Sequence, residues 1–274
     1  MSTETKYSLV VEGVGRVEVT VSDSGDGHPF LLLHGGAGPQ SVAGFADLMI
    51  STRHARVITP THPGFGATPR PDGLDSMAGL ARVYLALLDQ LDVHDVTVVG
   101  NSIGGWIAAE MAVLGSPRIG SVVLVDAAGI EVDSHPIVDF FSLTLDQVAE
   151  FSYHDPDRFR IDPTTMSEAQ RAVFAGNRSS LAVYGGQAMG DPTLRGRLAR
   201  ISIPALVIWG DSDQIVDQDY GRAYAAAIPG AAFVLLANTG HVPQLETPEQ
   251  LLTPVWDFAV ANATELPLPS RSEP

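Results

Sequence analysis

The chain has 274 residues, of which 45% are hydrophobic, and this length is typical of a single large α/β domain. Its formal net charge of −16 argues against nucleic acid or an anionic membrane surface as a partner, because like charges repel. The absence of cysteine excludes disulfide bonds, cysteine-ligated zinc and thiol catalysis.

Short apolar runs alternate with helical patterns along the chain. The apolar runs predict strands at Tyr7–Val11, Arg16–Val21, Phe30–Leu33, Arg56–Thr59, Val96–Val99, Ser121–Val125, Ala205–Trp209 and Ala232–Leu236. Three- and four-residue periodicity predicts helices at Met77–Gln90, Ser102–Leu114, Asp219–Ala227 and Pro248–Ala261. Continuous Val, Ile and Leu runs are typical of strands covered on both faces. The sequence therefore predicts an α/β fold with a mostly parallel, eight-stranded sheet flanked by helices.

The alternation stops between residues 130 and 200, where prolines separate short helical stretches. We predict a core formed by residues 1–129 and 201–263, and a helical insertion at residues 130–200. Residues 264–274 contain three prolines, and we predict that this tail is disordered. The N-terminus lacks an apolar signal segment and no apolar run reaches about 18 residues, so we expect a cytoplasmic protein without a membrane span.

The strongest chemical motif is Gly100-Asn101-Ser102-Ile103-Gly104-Gly105, which matches G-x-S-x-G between a buried strand and a helix. Such a turn exposes the serine hydroxyl at a helix N-terminus, where backbone N–H groups stabilise negative charge. The motif predicts Ser102 as a nucleophile. The alternative interpretation is a glycine-rich turn that only begins a helix.

A serine hydroxyl needs a base, and His241 follows the last predicted strand, at the same sheet edge as Ser102. His34 and His62 lie in tight loops and are expected to hold backbone together. The remaining histidines lie in polar segments where we expect exposure; they are His28, His54, His94, His135 and His154. Asp213 is the predicted carboxylate that orients the base, and Asp126, at the end of an earlier strand, is the alternative.

The oxyanion that forms on serine attack needs two N–H donors. The backbone N–H of Ile103 is the first candidate. The second is expected from the glycine-rich loop after Leu33, where Gly36 is preferred and Ala37 is the alternative.

The motifs His34-Gly35-Gly36, His62-Pro63-Gly64-Phe65-Gly66, Gly100–Gly105, Trp209–Asp213 and Gly240-His241 together resemble the ordered motif set of the α/β-hydrolase superfamily. The resemblance implies the α/β-hydrolase fold, and it implies that residues 130–200 form a cap over the active site. Serine at position 102 disfavours the epoxide hydrolase and haloalkane dehalogenase branches, which carry aspartate there. The Gly100–Gly105 turn, called the elbow below, is similar to that of meta-cleavage-product C–C bond hydrolases, which commonly have Asn before the nucleophile, as Asn101 stands here. Those enzymes also tend to have an aromatic residue after the catalytic histidine, where Val242 stands here.

These patterns predict a serine hydrolase that acts on a small carboxylic ester through an acyl-enzyme, without a metal or an organic cofactor. The expected partner is a small-molecule substrate, and a homodimer is compatible with the sequence. C–C bond hydrolysis is the alternative, with Arg171 or Arg178 as a cap arginine; lactonase, perhydrolase and lyase branches are further options. A non-catalytic small-molecule binding protein of the same fold is a different class of function. Trp106 and Phe65 are expected either at the pocket border or in the core.

Overall fold

The computed structural model describes residues 3–264, and all but the first residue of the predicted tail lies outside that range. Eight strands form one sheet in the order β1-β2-β4-β3-β5-β6-β7-β8. Their bounds are Thr3–Val11 (β1), Gly15–Gly25 (β2), His28–Leu33 (β3), Ala55–Pro60 (β4), Val96–Asn101 (β5), Ile119–Val125 (β6), Ala205–Gly210 (β7) and Ala232–Leu236 (β8). Strands β1 and β2 pair antiparallel with their neighbours, and the other pairs are parallel.

The helices lie between these strands. In chain order their bounds are Gln40–Thr52 (α1), Met77–Leu91 (α2), Ile103–Leu114 (α3), Leu145–Ser152 (α4), Pro156–Phe159 (α5), Glu168–Gly185 (α6), Leu194–Arg197 (α7), Gln218–Ala226 (α8), Pro243–Glu246 (α9) and Pro248–Asn262 (α10). Within residues 3–264, no helix combines the length and the apolar character needed to cross a membrane. The predicted α/β fold with a mostly parallel eight-stranded sheet is confirmed.

The core has two halves because alternate residues of each strand point to opposite faces of the sheet. In β3, Leu31 and Leu33 pack on the face that is covered by α2 and α3. Phe30 and Leu32 pack on the opposite face, against residues of α1 and α10. The continuous apolar runs of the sequence are therefore needed to fill both halves of the core.

One helix and one histidine of this core were not anticipated from the sequence. Helix α1 was not predicted, although it buries Val42, Phe45, Ala46 and Met49 at helical spacing. His28 was expected to be exposed, but it is buried at the start of β3, where its Nε2 lies 2.8 Å from Thr97 Oγ1. The polar residues that precede His28 suggested a loop, whereas the strand already begins at this residue.

The fold brings six loops to one edge of the sheet. The parallel strands β3 to β8 all end there, and in such sheets the loops beyond the carboxyl ends of the strands form the binding crevice. The chain between β6 and β7 is helical and contains α4 to α7. Residues 130–200 of this stretch are called the inserted segment below.

Candidate active site

Ser102 lies on a sharp turn between β5 and α3. Its φ of 56° and ψ of −118° place a non-glycine residue in a strained region, which costs about 1–3 kcal/mol. The strand and helix can approach this closely because residue 104 is a glycine: a Cβ there would overlap the backbone of Leu33. The strained turn exposes the Ser102 hydroxyl, which lines a cavity above the sheet edge.

His241 connects the Ser102 hydroxyl to a carboxylate. Its Nε2 lies 2.9 Å from Ser102 Oγ, and its Nδ1 lies 2.7 Å from Asp213 Oδ2. The side chain of Asp213 is fully buried, and the other oxygen, Oδ1, accepts hydrogen bonds from the backbone N–H groups of Ile215 and Val216. Because a carboxylate only accepts, Nδ1 of the neutral ring carries the proton and Nε2 is free to accept from the serine.

Asp126, the alternative acid, lies beside this pair without bonding to the imidazole. Its Oδ1 accepts from Gly210 N at 2.8 Å. Burial, followed by the nearby charge of Asp213, raises the pKa of Asp126 well above its usual range.

The three side chains also have a spacing that a metal ion could bridge. One potential ligand atom from each residue lies within 4.8 Å of the others; the residues are Asp126, Asp213 and His241. However, the ring N–H and two backbone N–H groups already occupy the oxygens of Asp213.

The two candidate oxyanion donors are the backbone N–H groups of Ile103 and Gly36. Ile103 is the first residue of α3, so its backbone N–H has no partner inside the helix. Gly36 lines the cavity together with Ser102. The preceding residue approaches the elbow so closely that a Cβ at Gly35 would lie 3.2 Å from Ser102 Cβ. Ala37, the alternative donor, also lines the cavity.

Two stacked, buried histidines hold the Gly36 loop. His34 Nδ1 lies 2.7 Å from Gly35 O, and His34 Nε2 accepts from His62 N at 3.1 Å. Since Nε2 accepts, Nδ1 must donate, and it fixes the carbonyl of the peptide unit that also carries the Gly36 N–H. Burial lowers the pKa of His34 to about 4 and that of His62 well below its ordinary value, so both rings are neutral near pH 7. The expectation that these histidines hold backbone together agrees with this geometry.

The cavity above Ser102 has a volume of about 150 Å³. Its wall is mostly aliphatic and aromatic, and many of the side chains come from the inserted segment, among them Ile137, Phe140, Val148, Phe159, Phe174 and Leu181. Of the two candidate arginines, Arg178 lines the cavity, whereas Arg171 is exposed and bonds to the carbonyl of Met166. Trp106 and Phe65 are buried in the core instead of the cavity wall.

Residues 28–248 match the family model described as the alpha/beta hydrolase fold. The chain belongs to this family. Among the curated relatives, this α/β-hydrolase is 26% identical to the 2-hydroxy-6-oxo-6-(2'-aminophenyl)hexa-2,4-dienoic acid hydrolase of Metapseudomonas resinovorans, over 95% of this chain and 93% of the relative. It is 27% identical to Lipase 3 of a Moraxella species, over 87% of this chain and 79% of that one.

The fold of this α/β-hydrolase also matches solved structures. A thermophilic esterase from Thermogutta terrifontis superposes with a TM-score of 0.75, over 95% of this chain and 100% of the esterase. The two sequences are 21% identical, so this likeness concerns the fold.

A buried amide network in this α/β-hydrolase was not anticipated from the sequence. Asn101 Nδ2 donates to His241 O at 2.8 Å, and Asn101 Oδ1 accepts from Gln244 Nε2 at 3.0 Å. The network links Asn101, which precedes Ser102, to the backbone of His241 by a hydrogen bond. The resemblance marked Asn101 as typical of the elbow, but no local pattern connects it with Gln244, which lies 143 residues away.

Proposed function

We propose that this α/β-hydrolase is a serine hydrolase of small carboxylic esters. The observation that carries the proposal is the hydrogen-bonded series Ser102–His241–Asp213 at the wall of a mostly apolar cavity. The family match and the relatives, which include a lipase, support hydrolase activity in general. The ester specificity and the roles of the individual residues are our proposal.

In the proposed reaction, His241 Nε2 takes the proton of Ser102 Oγ as this oxygen attacks the ester carbonyl. Asp213 keeps the proton on Nδ1 and stabilises the imidazolium that forms. The N–H groups of Ile103 and Gly36 stabilise the oxyanion, and such donors typically contribute about 3 kcal/mol each. His241 then protonates the leaving alkoxide, and water, deprotonated by the same ring, hydrolyses the acyl-enzyme and regenerates the serine.

The cavity indicates the size and polarity of the substrate. An apolar cavity of about 150 Å³ is large enough for a benzene ring. We therefore expect esters with a short aliphatic or single-ring acyl group to react faster than long-chain esters. In this proposal the inserted segment acts as a cap, because its side chains form much of the wall that the acyl group would contact.

A series of p-nitrophenyl esters of increasing chain length tests the proposal. The expected result is a maximum in kcat/KM at short acyl chains, and a loss of at least about 1,000-fold in the variant Ser102→Ala. A binding protein of the same fold would instead be stabilised against heat by the ligand without turnover. That outcome, or equal activity of Ser102→Ala, would contradict the proposal.

C–C bond hydrolysis is a second candidate, and Arg178 is the observation that favours it. Its guanidinium lines the cavity and donates to the carbonyl groups of Phe140 and Phe141. Within residues 3–264, no carboxylate lies within 4 Å of this guanidinium, so the acid group of a bound substrate could pair with it. The relative from Metapseudomonas resinovorans acts on such an acid, a substituted dienoic acid.

A comparison of two substrates separates the candidates. For a 2-hydroxy-6-oxo-dienoic acid, Arg178→Met should raise KM about 10-fold or more, because a charge-assisted hydrogen bond is lost. For a neutral short-chain ester the same variant should have little effect on KM. Turnover of the ester without cleavage of the dienoic acid would reject the second candidate.

A further inference from the structure

Asp126 has no place in the reaction described above, although it is fully buried beside the Asp213–His241 pair. It follows β6, and its backbone has a φ of 44°, which is unusual for a residue other than glycine. Its Oδ2 receives no hydrogen bond from any donor among the described residues. A buried carboxylate oxygen without a donor is costly unless it carries a proton.

The two neighbouring carboxyl groups differ in their donors. Asp213 accepts three N–H groups, from Ile215, Val216 and His241. Asp126 accepts one, from Gly210. Two buried carboxyl groups at this separation cannot both ionise without a large repulsion, so a proton is retained on the group with fewer donors. Among residues 3–264, Asp213 bonds to the ring of His241, and no Lys or Arg forms a salt bridge with either carboxyl group.

We propose that Asp126 is held as a neutral carboxylic acid whose O–H donates a hydrogen bond to the carboxylate of Asp213. Asp126 is then a positioning residue: it fixes the carboxylate that orients His241 and moderates the negative charge that the imidazole senses. The raised pKa of Asp126, caused first by burial and then by the charge of Asp213, agrees with this state. The functional part of this proposal rests on the proposed role of Ser102 and His241.

Two substitutions at residue 126 suit the positive φ, because Asn and Gly tolerate the left-handed region. In Asp126→Asn, the amide can still donate to Asp213 and accept from Gly210 N, so it imitates the neutral acid. In Asp126→Gly, the donor is removed without adding backbone strain.

Difference infrared spectroscopy at pH 7 tests the protonation state without any turnover. The wild-type protein should show the carbonyl stretch of a neutral carboxylic acid, and Asp126→Asn should lack it. Loss of a carboxylate band in place of the acid band would overturn the proposal.

Thermal unfolding gives an independent test of the same state. Between the ordinary carboxyl pKa of 3.8 and the raised pKa of Asp126, the folded wild-type protein retains a proton that the unfolded chain releases. Its stability therefore falls as the pH rises through this window, whereas Asp126→Asn has no such loss. We expect the Tm of Asp126→Asn, relative to the wild type, to increase from about pH 4 to pH 8. A difference that is constant or decreases would contradict the proposal.

The positioning role is tested by the pH profile of kcat/KM for a short ester. Asp126→Gly should move the acid limb to higher pH, because Asp213 loses a donor and holds the imidazolium more strongly. Asp126→Asn should restore the wild-type limb. Two results would overturn this role. One is an acid limb that does not move in Asp126→Gly, and the other is an acid limb that moves to lower pH by about one unit or more in Asp126→Asn. If no ester is hydrolysed, the proposed function fails, while the infrared and unfolding results still decide the state of Asp126.

Discussion

The residues around Ser102 differ in how easily their arrangement could be predicted. Ser102 and His241 each follow a strand within a recognisable local pattern, and the hydrogen bond between them spans 139 residues. The sequence favours Asp213 over Asp126 only weakly, because both residues follow parallel strands at the same edge. In the structure, Asp213 Oδ2 is the oxygen within hydrogen-bond distance of the ring.

The neutral histidines that support the Gly36 loop should make the fold sensitive to acid. The pKa of His34 falls from 6.5 to about 4 on folding, so the unfolded chain takes up a proton in this window and the folded protein does not. Stability is therefore lost as the pH falls below 6.5, by about 3 kcal/mol for His34 between pH 7 and pH 4.

Urea denaturation at several pH values measures this loss. His34→Asn should be less stable than the wild type at pH 7 but should lose less stability on acidification. His54→Asn, at an exposed histidine, should behave like the wild type. An equal pH dependence for wild type and His34→Asn would contradict the assignment.

The amide network behind the elbow should affect turnover more than binding. Gln244 donates to Asn101 and does not line the cavity, so Gln244→Leu should lower kcat about 10-fold, the equivalent of one buried hydrogen bond, with little change in KM. Gln250, whose amide bonds to the loop before His241 without touching Asn101, provides a control in Gln250→Leu. A larger loss in the control than in Gln244→Leu would show that the network does not position the base.

Secondary-structure elements could be predicted from the sequence where a single pattern, such as a continuous apolar run, was strong. The parallel strands were located because Val, Ile and Leu runs fill both halves of the core. Helix α1 was missed because Gly44 and the adjacent glycine-rich loop obscure its stripe of buried residues. The long-range ion pair between α3 and α7 has no sequence signal at all.

That ion pair provides a prediction about stability. Glu110 on α3 is buried, and both of its oxygens accept from the guanidinium of Arg197 on α7. Arg197→Met should cost about 3 kcal/mol because an unpaired charge remains buried. The exposed pair of Arg222 with Asp219 is the control, and Arg222→Met should cost less than about 1 kcal/mol. Similar losses in both variants, measured by urea denaturation, would contradict this account.

At the scale of the whole molecule, the fold class and the family could be recognised from ordered motifs, and both are confirmed. The shape of the cavity could not, because the inserted segment lacks a repeating pattern and its side chains converge only through tertiary packing. The division of the chain into a core and a cap therefore stays a prediction, as do the substrate and the oligomeric state.

If Ser102 is a nucleophile activated by His241, a fluorophosphonate should phosphonylate its hydroxyl group. Intact-protein mass spectrometry after this treatment should find a single adduct on Ser102 in the wild type and no adduct in Ser102→Ala. Labelling should be slowed at least about 1,000-fold in His241→Ala. An unlabelled wild-type protein, or an equal adduct in Ser102→Ala, would contradict this role of Ser102.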